Sequence, residues 1–179
     1  MNYINNLDDK IYNLLITMQS QGIKGIMIFI SYLASALTLI ILSIAFIFLI
    51  KNKKYSKLIA LNLALSFITN RILKFIIRRP RPERIQILTE RGYSFPSGHA
   101  MVGFAYYGFL IYLVSKNIKN KKIKYPLMIF LSLLILFVGI SRVYVGVHYV
   151  TDILGGYIFG FFYLVLFIKY VYKNEKIKI

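Results

Sequence analysis

An all-α, polytopic membrane helix bundle is the fold class this sequence predicts, and three observations lead to it. Apolar residues make up 58% of the chain and the mean hydropathy is +0.65. They gather into runs of about 20 residues, the length that crosses a bilayer. The lysines lie mostly in short clusters between or after those runs, the arrangement of cytoplasmic loops. With 179 residues the chain has room for one domain. We divide it into an amphipathic N-terminal helix (1–21), a helix bundle of five spans (22–170) and a basic cytoplasmic tail (171–179).

In the first segment Ile4, Leu7, Ile11, Leu14, Leu15 and Met18 recur at helical spacing, interrupted by Asp8, Asp9, Lys10, Asn13 and Gln19. Such a helix suits the membrane interface, and a sixth, poorly apolar span is the alternative reading. The first clear span, about 23–50, is long enough to contain a short break before it crosses. The loop Lys51 to Lys57 carries four positive charges and is therefore cytoplasmic. In the second span, about 58–77, Asn62, Ser66, Asn70, Lys74 and Arg78 recur every four residues along one helix stripe. Polar groups at that depth face a bundle interior or a wet cavity.

Pro80 and Pro82 end this helix. A polar loop then leads to Tyr93-Ser94-Phe95-Pro96-Ser97-Gly98-His99. Here Ser94 is expected to cap the third span (about 97–114), with Pro96 in its first turn. The N–H groups of Ser97, Gly98 and His99 would then form an anion site at a helix start. Lysines 116–124 return the chain to the cytoplasm. The fourth span covers about 125–141. Arg142 to Val147, β-branched with a glycine, reads as a tight re-entry into a fifth span over 148–168. Gly156 and Gly160, four apart, read as a packing face. No cleavable signal pattern is visible, so insertion is expected to rely on the spans themselves.

A net charge of +17 would suggest nucleic acid in a soluble protein, but its distribution does not. Six of the seven arginines lie between Arg71 and Arg91, and the seventh is Arg142. They point to forked recognition of phosphate or carboxylate. The predicted topology brings Lys74, Arg81, Ser97, Gly98, His99, Arg142, His148 and Asp152 to one membrane face, opposite the lysine clusters. Both histidines of the chain are in this set. Asp152, four residues after His148, is expected to share its helix face and orient its ring. The cations and helix-start N–H groups suit an oxygen-rich phosphoryl group, and two histidines can act as nucleophile and general acid. With one aspartate plus Glu83 and Glu90 there is no carboxylate cluster for a metal, and without cysteine no thiolate site or cysteine nucleophile. No metal or cofactor is expected. An anion-binding or transport protein remains the non-enzymatic alternative.

The signature Lys74-x6-Arg81-Pro82, then Pro96-Ser97-Gly98-His99, then Ser141-Arg142-x5-His148-x3-Asp152 resembles that of the type-2 phosphatidic acid phosphatase superfamily, over about residues 57–170. The resemblance implies a membrane lipid phosphatase in which His148 forms a phosphohistidine, Asp152 orients it and His99 protonates the leaving group. It implies that Lys74, Arg81, Ser97, Gly98 and Arg142 bind phosphate, at the extracytoplasmic face of the cell membrane. The partners implied are the bilayer and a lipid phosphate. Undecaprenyl pyrophosphate comes first, for a compact Lys- and Ile-rich chain of bacterial look. Phosphatidylglycerol phosphate, phosphatidate and lipid A phosphates are the alternatives. A phosphotransferase using the same site, and a vanadate-dependent peroxidase, are rival chemistries. The chain departs from many members in having five spans plus a weak segment instead of six.

Overall fold

The structure, a computed structural model, describes residues 2–17, 20–83 and 86–176. Among the described residues there are seven helices: α1 (Asn2–Thr17), α2 (Gln21–Leu33), α3 (Ala36–Leu49), α4 (Lys53–Ile77), α5 (Gly98–Asn117), α6 (Lys121–Tyr144) and α7 (Val150–Lys176). The helices α4, α5, α6 and α7 are each long and apolar enough to span a membrane. Helices α2 and α3, bent by 54° at their junction, are long and apolar enough only together, and count as a fifth span if the pair crosses as one. The bend has a sequence cause. Ser35 caps α3, its Oγ accepting from the Thr38 N–H at 3.2 Å. The Thr38 hydroxyl turns back to the Tyr32 carbonyl at 2.7 Å, so groups freed by the break are satisfied locally, as an apolar surrounding demands.

Helix α5 is the centre of the bundle. It packs against α4, α6 and α7 and buries Ala100, Met101, Ala105, Tyr106 and Phe109 among its neighbours. Outside it, α3, α4, α6 and α7 expose Phe48, Phe75, Phe130 and Phe162, side chains that belong in hydrocarbon. The α5–α7 contact depends on Gly156 and Gly160. A Cβ on Gly160 would sit 2.9 Å from the Met101 carbonyl oxygen, and one on Gly156 3.1 Å from that of Ser97. Small residues here let two backbones approach.

Several expected boundaries move. Helix α6 runs on through Arg142 to Tyr144, so Arg142 sits in a last helical turn and the re-entry shrinks to 145–149. Helix α7 begins at Val150, which leaves His148 outside it. It continues to Lys176, so the expected tail starts inside a helix, and 177–179 lie outside the described residues. The α5 cap is Ser97, with Pro96 before the helix. Helix α1, expected at the interface, is docked on the bundle. It packs on α6 and α7, and Asp8 and Tyr12 are buried there. Met18 and Gln19 lie outside the described residues.

Gly160→Ala should lower the thermal midpoint measured by circular dichroism in detergent, since overpacking costs roughly 1–3 kcal/mol. Gly25→Ala, where nothing lies within 4 Å of an added Cβ, should leave it unchanged or raise it slightly, because alanine favours helix.

Candidate active site

Asp152 is the third residue of α7, and its carboxylate is fully buried. Its Oδ2 accepts the Tyr149 N–H at 2.9 Å, reaching back over the first turn as the acid of a capping box does. The same oxygen receives the hydroxyl of Ser94 and lies 3.2 Å from His148 Nδ1. The expected pair therefore exists, but a helix start creates it and not a shared helix face. Oδ1 accepts from Arg79 Nη1 at 2.8 Å, and the backbone carbonyl of Asp152 accepts from the Ser97 N–H at 3.1 Å.

The tautomer of His148 follows from its neighbours. Arg81 Nη1 lies 3.4 Å from His148 Nε2, and a guanidinium can only donate. Nε2 must be the acceptor, so the proton is on Nδ1, facing Asp152. That exposes the Nε2 lone pair toward the cations. Burial is the main cause that pushes the His148 pKa down, to about 4. Asp152 opposes the shift, and Arg142 and Arg81 add to it. The ring is neutral at physiological pH, the form a nucleophile needs.

The cations are held by carbonyls and by one carboxylate. Arg81 donates to the carbonyls of Val147 (2.9 Å) and Gly92 (3.1 Å). Lys74 Nζ donates to those of Tyr93 (2.6 Å) and Ser94 (3.1 Å). Arg142, buried, bonds Ser31 and, at 2.6 Å, Glu90. The other oxygen of Glu90 lies 3.8 Å from Arg81. These backbone acceptors fix the loop between α4 and α5 around the side chains, with further ties from Ser94 N–H to Arg79 O (2.8 Å) and Ile87 N–H to Val145 O (2.9 Å).

At the start of α5 the N–H of Ser97 is committed to Asp152, and its Oγ accepts from Ala100 at 3.5 Å. Ser97 is thus a cap, and Gly98 and His99 open the helix. A Cβ on Gly98 would come within 3.2 Å of Asn70 Oδ1, and Asn70 Nδ2 ties down the Pro96 carbonyl at 3.3 Å.

A cavity of about 870 Å³ joins these parts. Lys74, Arg81, Gly98, His99 and His148 line its polar end together with Glu90, and Leu39, Ile44, Ile47, Ala64 and Phe67 of α3 and α4 line the rest. Of the expected site residues, Ser97, Arg142 and Asp152 stand behind this lining. Among the described residues, no three His, Asp or Glu side chains converge as metal ligands would. A single apolar slot with cations and two imidazoles at one end fits an amphiphile whose head is an anion.

The sequence pattern of the PAP2 superfamily matches residues 55–176. The chain belongs to the PAP2 superfamily. It is a membrane phosphatase of that type, hydrolysing phosphate esters. Phosphatidylglycerophosphatase B of Bacillus subtilis is 33% identical over 184 residues, spanning 99% of this chain and 88% of that protein. The crystal structure of a transmembrane PAP2-type phosphatidylglycerolphosphate phosphatase from Bacillus subtilis superposes with a TM-score of 0.87 at 29% identity, over 97% of this chain and 88% of that one. LpxE from Aquifex aeolicus shares the fold, with a TM-score of 0.74 at 24% identity over 91% and 95% of the two chains.

Sequence reasoning missed Ser94 as a partner of Asp152, Arg79 as its second ligand, and Glu90 as the counter-ion of Arg142. Ser94 was visible but read as a cap, and Arg79 was one of six crowded arginines. The depressed His148 pKa has a consequence for stability. The unfolded chain binds a proton near pH 6.5, and the folded one binds it only near pH 4. This contribution to stability is therefore present above pH 6.5 and is lost as pH falls toward 4. Thermal midpoints in detergent should fall across that window, with a shallower fall in His148→Gln.

Proposed function

We propose that the protein removes the terminal phosphate from a membrane lipid at the extracytoplasmic face, through a phosphohistidine. The cavity carries this reading, because it offers an apolar slot to acyl chains and ends on two histidines beneath Lys74 and Arg81. In the proposed reaction the Nε2 lone pair of His148 forms a bond to phosphorus. The bond from phosphorus to the lipid oxygen breaks, and His99 gives that oxygen a proton. His99 then takes a proton from water, whose oxygen attacks phosphorus, and the N–P bond breaks to free phosphate and restore His148. Lys74, Arg81 and the Gly98 N–H balance the charge on the equatorial oxygens, and Arg142 adds its field from behind the wall. Ser97 contributes by holding the start of α5.

Phosphatidylglycerol phosphate is the substrate we put first, on the strength of the Bacillus subtilis relative that spans the whole chain. Undecaprenyl pyrophosphate is the reading from sequence composition. Phosphate release from a panel of the two, with phosphatidate and a lipid A phosphate, decides between them. Preference for phosphatidylglycerol phosphate is expected, and release tenfold faster from any other member displaces it. Phosphate appearing on a second lipid instead of free in solution would mark a phosphotransferase.

The two histidines should separate by leaving group. His148→Ala abolishes turnover on every substrate. His99→Ala should lose roughly 10²–10⁴-fold on a lipid monophosphate, the worth of general-acid help, and less on an activated aryl phosphate, whose leaving group needs no proton. Labelled phosphate trapped on His99→Ala but absent from His148→Ala is the matching observation, and label retained on His148→Ala would reassign the nucleophile.

Sidedness rests on the lysine clusters at the far end of the helices. A cysteine at Glu83 should react with an impermeant thiol reagent added to intact cells, and one at Asn52 should not. The reverse pattern inverts the topology.

A further inference from the structure

The N-terminal helix brings a carboxylate to the back of the site. Asp8 is 1% exposed. Its Oδ1 accepts the backbone N–H of Thr151 at 3.0 Å, one of the free donors at the start of α7. Its Oδ2 accepts from the Thr151 hydroxyl at 2.9 Å and from Arg79 Nη2 at 3.2 Å. The other fork of Arg79, Nη1, donates to Thr151 Oγ1 at 2.7 Å and to Asp152 Oδ1 at 2.8 Å. Its guanidinium lies 4.0 Å from the centroid of the Tyr149 ring. One guanidinium thus bridges two buried carboxylates, and one carboxylate grips both the guanidinium and the helix that bears the other.

The geometry restricts Asp152. Its Oδ2 bonds Ser94, Tyr149 and His148, whereas, among the described residues, Oδ1 bonds Arg79. Rotation of the carboxylate about its last bond would break the Arg79 contact and move Oδ2 off His148 Nδ1. Arg79 is itself 23% exposed and follows a left-handed residue, Arg78, so the helix ladder does not fix it. Asp8 and Tyr149 do. Asp8 also lies outside residues 55–176, which the family pattern covers.

We propose that α1 belongs to the catalytic apparatus: Asp8, acting through Arg79 and Thr151, is a positioning residue that holds the Asp152 carboxylate in the orientation that serves His148. The inference rests on the proposed pairing of Asp152 with His148. It explains why a helix too polar to span comfortably is packed on the bundle, with an acid turned inward.

The test measures kcat and KM on one lipid phosphate for Asp8→Asn, Asp8→Glu, Arg79→Gln, the Asp8→Asn/Arg79→Gln pair and Asp152→Asn. Only monodisperse protein with a wild-type circular dichroism spectrum is compared. Asp8→Asn should lower kcat roughly 10-fold with KM within twofold, the signature of a misplaced group and not of lost binding. Asp8→Glu should recover part of the loss. The pair should be no slower than Arg79→Gln alone, because both substitutions break one path. Wild-type kcat in folded Asp8→Asn, a change in KM alone, or losses that multiply in the pair would overturn the inference. If Asp8→Asn does not fold, Arg79→Lys takes its place, since it keeps the charge but loses the fork, and wild-type kcat there overturns the inference equally. An inactive Asp152→Asn beside a fully active Asp8→Asn defeats only the positioning role. A fully active Asp152→Asn defeats the pairing, and the inference with it.

Discussion

A buried carboxylate in a membrane protein is tolerable only if its charge and lone pairs are met, and at Asp152 that requirement organises the site. Its side chain and carbonyl together accept from five residues: Arg79 after α4, Ser94 and Ser97 before α5, and His148 and Tyr149 before α7. The first two are opposite ends of one loop between α4 and α5, and the third lies beyond α6. They meet because each supplies a donor to one acid. The histidine is oriented by the same contacts that close the loops, so orientation and folding cannot be separated at this point.

The second balance is among the arginines. Arg142 is buried at 1% exposure, and Glu90 is the carboxylate that meets it, with its other oxygen toward Arg81. Cations intended for an anionic ligand would repel one another in a low-dielectric wall without such a counter-ion. Lys74 and Arg81 are held chiefly by backbone carbonyls, of the 78–97 loop for both and of Val147 as well for Arg81. Fixed dipoles keep their positions while leaving their full charge available to a ligand. The loop is polar and irregular because its main chain serves as ligand to the side chains.

Much of this is legible in the sequence, and the exceptions have physical reasons. Lys74, Arg81, His99, His148 and Asp152 stood out because charge within or beside apolar spans is costly and needs an explanation. The polar stripe on α4 holds through Asn62, Ser66 and Asn70, all buried, and fails at Arg78, which turns left-handed to end the helix. The stretch from Arg142 to Val147 looked like a loop because β-branched residues disfavour helix slightly. Where water is scarce, a self-bonded backbone outweighs that preference, and α6 keeps Arg142, Val143 and Tyr144. The role of Asp8 could not have been read from the sequence. The spacing of Ile4, Ile11 and Leu15 puts Asp8 on the apolar face and Asp9 off it, but its partners are 71 and 143 residues away and no local pattern names them.

The flank of the cavity changes how such an enzyme meets its substrate. Ile40, Ile44 and Phe75 line the slot and keep much of their surface exposed, an apolar flank that would admit lipid chains laterally from the hydrocarbon. Chains sliding in from that side never pass through water, and the removal of each methylene from the bilayer, about 0.8 kcal/mol, is avoided. Substrate is then counted in two dimensions. The quantity that sets occupancy is the mole fraction of phosphorylated lipid in the leaflet, or in a mixed micelle, and diluting that lipid with inert amphiphile slows the enzyme even when the amount in the tube is unchanged.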